Sequence, residues 1–161
     1  MATPALRTEV LVERGSSRDI DAVMEVMEAA FGERFGEAWT RSQLAGILPM
    51  AGVTLMLART EGSDAVIGFS LARTVADESE LLLIAVVPGR HRRGIGQRLL
   101  EHFLERAQKD GLARVHLEVR EGNPAVAMYE RAGFSPAGRR RNYYHARGGE
   151  RFDAITLVRE L

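Results

Sequence analysis

Apolar and polar residues alternate along the chain with a period of 2 in some stretches and a period of 3.6 in others, which indicates strands interspersed with helices. Ser16 or Ser17 is suited to cap a first helix, and Thr40 with Gln43 has the capping-box spacing of a second. Asn123-Pro124 is typical of an N-cap followed by the first residue of a helix. The predicted strands are 9–13, 53–59, 65–75, 80–87, 114–120 and 153–159, and the predicted helices follow residue 17, span 41–48, span 96–109 and run from 124 to Gly133.

The order of these elements predicts the fold class. Adjacent strands before residue 87 favour antiparallel pairing, whereas the strand, helix and strand between 80 and 120 favour one parallel pair. We therefore expect an α/β fold with a mixed sheet that is mostly antiparallel, with helices on both faces. No repeat or linker interrupts the 161 residues, and a single domain over 1–161 is predicted.

Composition removes several classes of function. Lys and Arg number 22 and Asp and Glu number 22, so the net charge of zero gives no global attraction to nucleic acid or to an anionic membrane. Without cysteine there is no disulfide, no thiolate zinc site and no cysteine nucleophile. His102 and His145 lack partners at ligand spacing, so no metal is predicted. The absence of a signal-peptide core and of a long apolar run leads us to expect a cytoplasmic protein with no membrane partner.

The stretch 87–97 is the strongest candidate for a ligand site. It lies between an apolar strand and an amphipathic helix, and Gly94 and Gly96 allow backbone N–H groups to converge there. A helix N-terminus adds partial positive charge, and Arg90, Arg92 and Arg93 surround the turn. These features predict a phosphate or pyrophosphate site.

Two common phosphate motifs fit this stretch poorly. Gly89 and Gly94 have P-loop spacing, but Ile95-Gly96 stands where Lys and Ser or Thr are needed. Leu99 stands where a dinucleotide fingerprint needs its third glycine. A solvated basic turn that binds nothing remains an alternative on the residues alone.

The stretch nevertheless resembles the acyl-CoA pyrophosphate loop of the GNAT superfamily of N-acetyltransferases. Leu117-Glu118-Val119-Arg120, Asn123 and the segment 128–134 extend the resemblance in the expected order. The segment 140–144 with Asp153-Ala154 is similar to the tail of bacterial ribosomal-protein-alanine N-acetyltransferases, and 38–40 is similar to their substrate arm.

The resemblance implies acetyl-CoA as co-substrate. Backbone groups of one strand would meet the pantetheine arm, and the glycine turn would hold the pyrophosphate. For Asn123, a role as a helix cap is the alternative, and that role is compatible with a cofactor contact. The implied contacts are Ile84, Ala85, Val86, Arg92, Arg93, Gly94, Ile95, Gly96, Gln97 and Asn123.

Acetyl transfer from a thioester needs a neutral amine and a proton for the leaving thiolate. Alternation along strand 114–120 places Glu118 and His116 on the face opposite the apolar one. The resemblance implies Glu118 as general base and Tyr129 as general acid, with His116 assisting or structural. A solvated strand face and a buried packing aromatic are the alternatives for Glu118 and Tyr129.

The expected acceptor is a peptide or protein N-terminus, such as that of a ribosomal protein, held between Trp39 and Tyr143–Tyr144. At pH 7 an α-amine is roughly one-tenth neutral and a lysine only about once in 2,500, so a single modest base suits an α-amine. Two alternatives stay open, namely an enzyme that acetylates lysine or a small amine, and a module that binds a phosphate ligand without catalysing a reaction. RNA binding is disfavoured because the basic run 139–141 is short, and both a monomer and a homodimer are allowed.

Overall fold

The computed structural model describes residues 9–89 and 94–161, so the contacts expected of Arg92 and Arg93 lie outside the described residues. A 3-10 turn at Ser17–Asp19 precedes the first helix. The helices are α1 (Ile20–Phe31), α2 (Arg41–Ile47), α3 (Ile95–Lys109) and α4 (Val126–Arg131). The strands are β1 (Val10–Arg14), β2 (Val53–Thr60), β3 (Val66–Val75), β4 (Glu78–Val86), β5 (Arg114–Arg120), β6 (Ser135–His145) and β7 (Arg151–Glu160).

The seven described strands form one sheet in the order β1-β2-β3-β4-β5-β7-β6. Its pairs are antiparallel except β4 with β5, which is parallel and is connected through α3. This confirms the predicted mixed sheet. The strand β6 was absent from the predicted strands because it is an exposed edge strand, and its sequence therefore carries no alternation of apolar and polar residues.

Helices cover both faces of the sheet, as predicted. Leu83 and Ala85 of β4 belong to the core beneath α1, whereas Ile84 and Val86 pack with the core beneath α3. Alternate residues of one strand thus serve opposite faces, as the pleat requires. Apolar burial on both faces fixes the register of β4, which lies at the centre of the sheet.

The local signals for helix ends are only partly confirmed. Thr40 and Gln43 make both reciprocal hydrogen bonds of a capping box, at 2.8 and 3.1 Å, ahead of α2. The predicted start of the fourth helix at Asn123-Pro124 is wrong, because α4 begins at Val126. Asn123 instead closes a turn, since its Oδ1 accepts the Ala125 N–H at 2.8 Å and its carbonyl accepts the Val126 N–H at 3.1 Å.

The parallel strands β4 and β5 separate partway along their length, and β4 has a bulge at the same place. In the register between β3 and β4, Leu71 faces Leu83 and Ala72 faces Leu81, so Leu82 is the extra residue of a β-bulge. The hydrogen-bonded pairing of β4 with β5 ends at Leu81 and Leu117, although both strands continue for several residues beyond that point. The strands therefore diverge and open the sheet beside the N-terminus of α3.

Candidate active site

A cavity of about 750 Å³ lies between the diverging strands, the N-terminus of α3, the helix α4 and the end of β6. It brings together residues from the loop before α2, from β4 and β5, and from the β6–β7 hairpin. Of the residues expected at the site, it is lined by Trp39, Ile84, Ala85, Val86, Gly94, Gly96, Gln97, Glu118, Asn123, Tyr129, Tyr143 and Tyr144.

The glycine turn forms the start of α3. Gly94 has φ of 73°, a left-handed conformation that favours glycine over other residues. The α3 ladder begins with the Arg98 N–H bonded to the Gly94 carbonyl at 2.9 Å, and the N–H groups before it have no partner within a helix. The side chain of Ile95 is buried in the core, so only its backbone could serve a ligand. The turn therefore presents several amide donors and a partial positive charge.

A substitution at Gly96 tests whether this turn holds the pyrophosphate of acetyl-CoA. A Cβ added there would lie 3.7 Å from Met128 Sδ and from Val86 Cγ2, which is ordinary contact, so the fold can accept a side chain. We expect Gly96→Asp to weaken acetyl-CoA binding at least about tenfold by adding bulk and negative charge where phosphate would lie. Calorimetric titration with acetyl-CoA measures this. Gly148→Asp, in a loop with open space, is the matched control, and an unchanged affinity of Gly96→Asp would remove the pyrophosphate assignment.

Glu118 lies on β5 and presents its carboxylate to the cavity. The register pairs it with Thr156 of β7, whose hydroxyl donates to Glu118 Oε2 at 2.8 Å. Arg140 of β6 reaches across to Glu118 Oε1, with Nε at 3.0 Å. His116, two residues earlier, has its Nε2 3.7 Å from Glu80 Oε2. His116 is thus engaged with β4 rather than with Glu118.

Tyr129 enters the cavity from α4 and is 5% exposed. Its ring packs edge-on against Phe134, with centroids 6.0 Å apart. Burial raises the pKa of Tyr129 above the usual tyrosine value, and the nearby Tyr144 and Glu37 act in the same direction. The phenol therefore remains a proton donor at neutral pH.

A bulge in β6 positions the two other tyrosines. Arg140 pairs with Ala154 and Tyr144 with Phe152, so 141–143 bulge out opposite Asp153. Asn142 adopts φ of 54° there and donates its N–H to Asp153 Oδ1 at 2.9 Å. The bulge brings Tyr143 and Tyr144 together edge-to-face at 5.0 Å, and the Tyr144 hydroxyl donates to the Glu118 carbonyl at 3.4 Å.

Arg139 braces this hairpin. Its guanidinium donates two hydrogen bonds of 2.7 Å to the Glu121 carboxylate and one of 2.8 Å to Asp153 Oδ2. Hydrogen bonds from Arg139 hold the pKa of the Glu121 carboxyl below its usual value. The Asn142 amide and then Arg139 do the same for the pKa of Asp153. Arg139 and Asn142 thus join β6 to β7 and to the turn after β5 at neutral pH.

The sequence analysis missed Glu37 as a site residue. Its Oε1 is 3.2 Å from Arg120 Nε and its Oε2 accepts from Asn123 Nδ2 at 3.0 Å. The side chains of Arg120 and Glu37 are 9% and 11% exposed, and the Arg120 guanidinium lies 3.6 Å from the centre of the Phe35 ring. The only local signal was the position of Glu37 two residues before Trp39. This buried pair ties the substrate-arm segment to the turn before α4.

Within 9–89 and 94–161, no group of three or more His, Asp or Glu side chains could hold a metal ion. None of the helices in those ranges has the length and hydropathy to cross a membrane.

The sheet splits beside a helix that starts at a glycine, and an acid and a tyrosine line the split. This is the arrangement that the resemblance to acyl-CoA-dependent transferases leads us to expect. The model of the acetyltransferase (GNAT) family matches residues 20–134. The chain belongs to the GNAT family of acetyltransferases, which use acetyl-CoA.

Several relatives are [ribosomal protein bS18]-alanine N-acetyltransferases. That of Escherichia coli K12 is 46% identical over 91 residues, which span 56% of this chain and only 61% of that protein. That of Salmonella typhimurium is 36% identical over 130 residues, spanning 75% of this chain and 87% of that protein. The crystal structure of the E. coli ribosomal-protein-S18-alanine N-acetyltransferase superposes with a TM-score of 0.84 at 31% identity, covering 94% of each chain.

Proposed function

We propose that this chain is an acetyl-CoA-dependent N-acetyltransferase that acetylates the N-terminal amine of a protein, such as a ribosomal protein. Glu118 acts as general base and Tyr129 as general acid during direct attack by the amine. The observation that carries the proposal is that Glu118 and Tyr129 line one cavity together with the split strands, the α3 N-terminus and the side chains of Trp39, Tyr143 and Tyr144.

The residues present fit acetyl-CoA. The α3 N-terminus offers amide donors to phosphate, and the diverging edge of β4 offers backbone groups to an extended pantetheine arm. Gln97 and Asn123 line the same cavity. When bound, acetyl-CoA supplies an acetyl thioester, and transfer to an amine yields an amide and a thiolate that needs a proton.

Glu118 is a better base than Glu37, the other buried acid in the cavity. Both oxygens of Glu37 have partners inside the protein, the buried Arg120 and the half-buried Asn123. Glu118 Oε1, in contrast, is held only by an arginine that is 62% exposed. An amine can therefore reach Glu118 and transfer its proton there, whereas binding at Glu37 would break a buried ion pair.

Tyr129 is suited to protonate the leaving thiolate. A thiol has an ordinary pKa of about 8.5, below that of tyrosine, so a fully formed thiolate would not take the proton without help from the surroundings. Removal of water from the cavity disfavours the thiolate as it disfavours the phenolate. Tyr129 therefore acts as the general acid by giving up its proton while the carbon–sulfur bond breaks, before a free thiolate has formed.

The acceptor class is inferred from the aromatic side chains around the entrance. Trp39 lies before α2, and Tyr143 and Tyr144 lie in β6, so aromatic side chains from two separate parts of the chain line the cavity. These side chains would hold an extended peptide end and orient its α-amine, and orientation contributes directly to rate. The relatives described above are alanine N-acetyltransferases of ribosomal protein bS18, which supports a protein as acceptor.

Substrate choice can be tested with paired peptides. We expect peptides with a free N-terminus to be acetylated at least about tenfold faster, in kcat/KM, than the same peptides blocked at the N-terminus and carrying lysine. Trp39→Ala and Tyr144→Ala should lower kcat/KM for the free peptides much more than they lower acetyl-CoA affinity. Met50→Ala, an exposed apolar residue outside the cavity, is the control. Equal or faster acetylation of the blocked lysine peptides would contradict the assigned acceptor.

A further inference from the structure

The two carboxylate oxygens of Glu118 have partners of different kinds. Oε2 accepts from the hydroxyl of Thr156, a neutral donor fixed by strand pairing, at 2.8 Å. Oε1 lies 3.0 Å from Arg140 Nε, in a side chain that is 62% exposed, while the Glu118 side chain is 9% exposed. The buried carboxylate therefore receives its positive partner from the solvent side, where an amine would also approach.

Arg140 reaches Glu118 because the path across β7 is clear. Gly138 faces Thr156 in the β6–β7 register, and a Cβ there would lie 3.8 Å from Thr156 Oγ1. Gly138 thus places no side chain over Thr156, and Arg140, two residues further on the same face, extends over it. The guanidinium also lies 5.7 Å from the centre of the Tyr143 ring.

The ion pair between Arg140 and Glu118 can be exchanged for an ion pair between the acceptor amine and Glu118. The guanidinium of the exposed Arg140 regains water when it leaves, and the charged acceptor amine compensates the Glu118 carboxylate in its place. The aromatic contact with Tyr143 lies on the outer side of the site and can hold the guanidinium near the cavity mouth. Release of Arg140 therefore uncovers Glu118 without disturbing the core.

We propose that Arg140 is a specificity-determining residue that competes with the acceptor amine for Glu118 Oε1. This inference rests on the proposed role of Glu118 as the base. At pH 7 roughly nine-tenths of α-amines are charged, so acceptor binding exchanges one ion pair for another. Arg140 thereby excludes acceptors that bind Glu118 more weakly than a guanidinium does.

The exchange predicts an unusual salt dependence. In the wild type one ion pair replaces another, so the affinity for a peptide with no other charge changes little with salt. In Arg140→Gln the peptide forms its ion pair without breaking one, so its Kd should be about two- to fivefold lower than that of the wild type at low salt. The difference in Kd between Arg140→Gln and the wild type should shrink as salt screens the ion pair between the peptide and Glu118.

The test is calorimetric titration of the enzyme, saturated with coenzyme A, with a C-terminally amidated peptide that has no charged side chains. Coenzyme A carries no acetyl group, so binding is measured without turnover. Initial rates with acetyl-CoA then show whether Arg140→Gln acts on KM rather than on kcat. Arg140→Lys keeps a positive charge and should stay nearer the wild type, and Arg141→Gln, at the exposed neighbouring position, should leave the Kd and its salt dependence unchanged.

Two results overturn different claims. If Arg140→Gln binds the peptide no better than the wild type, or loses kcat while Kd is unchanged, Arg140 supports Glu118 and does not compete with the amine. If the wild type gives no acetylated product from any peptide or amine, the proposed function fails instead. Binding that tightens in Arg140→Gln and shows the stated salt dependence establishes the competition.

Discussion

Glu118→Gln is expected to lower kcat for peptide acetylation by about 100- to 10,000-fold, the usual contribution of a positioned general base. The amide has nearly the shape of the carboxylate, and its oxygen can still accept from Thr156, but it cannot take a proton from the amine. Because the proposed role of Glu118 concerns the acceptor amine and not the cofactor, the Kd of acetyl-CoA should change less than about twofold. Rates are measured by mass spectrometry of the peptide, and the Kd by calorimetry.

The comparison needs a control that removes a carboxylate elsewhere. Glu105→Gln, on the exposed face of α3, has the same chemistry and should keep wild-type kcat. Glu37→Gln should be assayed in parallel, since Glu37 is the other buried acid of the cavity. If Glu118→Gln kept more than half of the wild-type kcat, the base would have to be sought elsewhere, with Glu37 as the next candidate.

The parts of the fold that the sequence predicted depend on local signals. The strand 114–120 was predicted with its observed bounds, because Val115, Leu117 and Val119 alternate with polar residues and pack on one face. The α2 capping box was confirmed because both of its hydrogen bonds join residues three positions apart. Patterns of this kind need no knowledge of the tertiary structure.

Other features arise only from long-range contacts. The strand β6 is held by pairing with β7 and by a bulge at Asp153, and neither is encoded in its own mostly exposed residues. The turn at Asn123 is tied to Glu37, 86 positions earlier, so its helix-start signal led to a wrong boundary. The contact between Arg140 and Glu118 likewise required strand order and register.

Arg120→Ala is expected to lower the free energy of unfolding by about 3–5 kcal/mol, the usual effect of removing one partner from a buried ion pair. Glu37 would keep only the Asn123 amide, in a site where its side chain is 11% exposed. The Phe35 ring would also lose the guanidinium that lies 3.6 Å from its centre. Urea unfolding at pH 7 measures the change, and Arg141→Ala, at an exposed position, should stay within about 0.5 kcal/mol of the wild type.

A double variant that lacks both charges tests whether the lost ion pair or the lost packing dominates. If an unpaired Glu37 charge is the main cause, Glu37→Leu combined with Arg120→Met should be more stable than Arg120→Ala, because apolar side chains can replace a buried pair with little loss. The double variant should still acetylate peptides with a higher KM, since Glu37 and Arg120 tie the segment that carries Trp39 to the turn before α4. A double variant as unstable as Arg120→Ala would show that packing of the guanidinium on Phe35, rather than charge compensation, stabilises this side of the cavity.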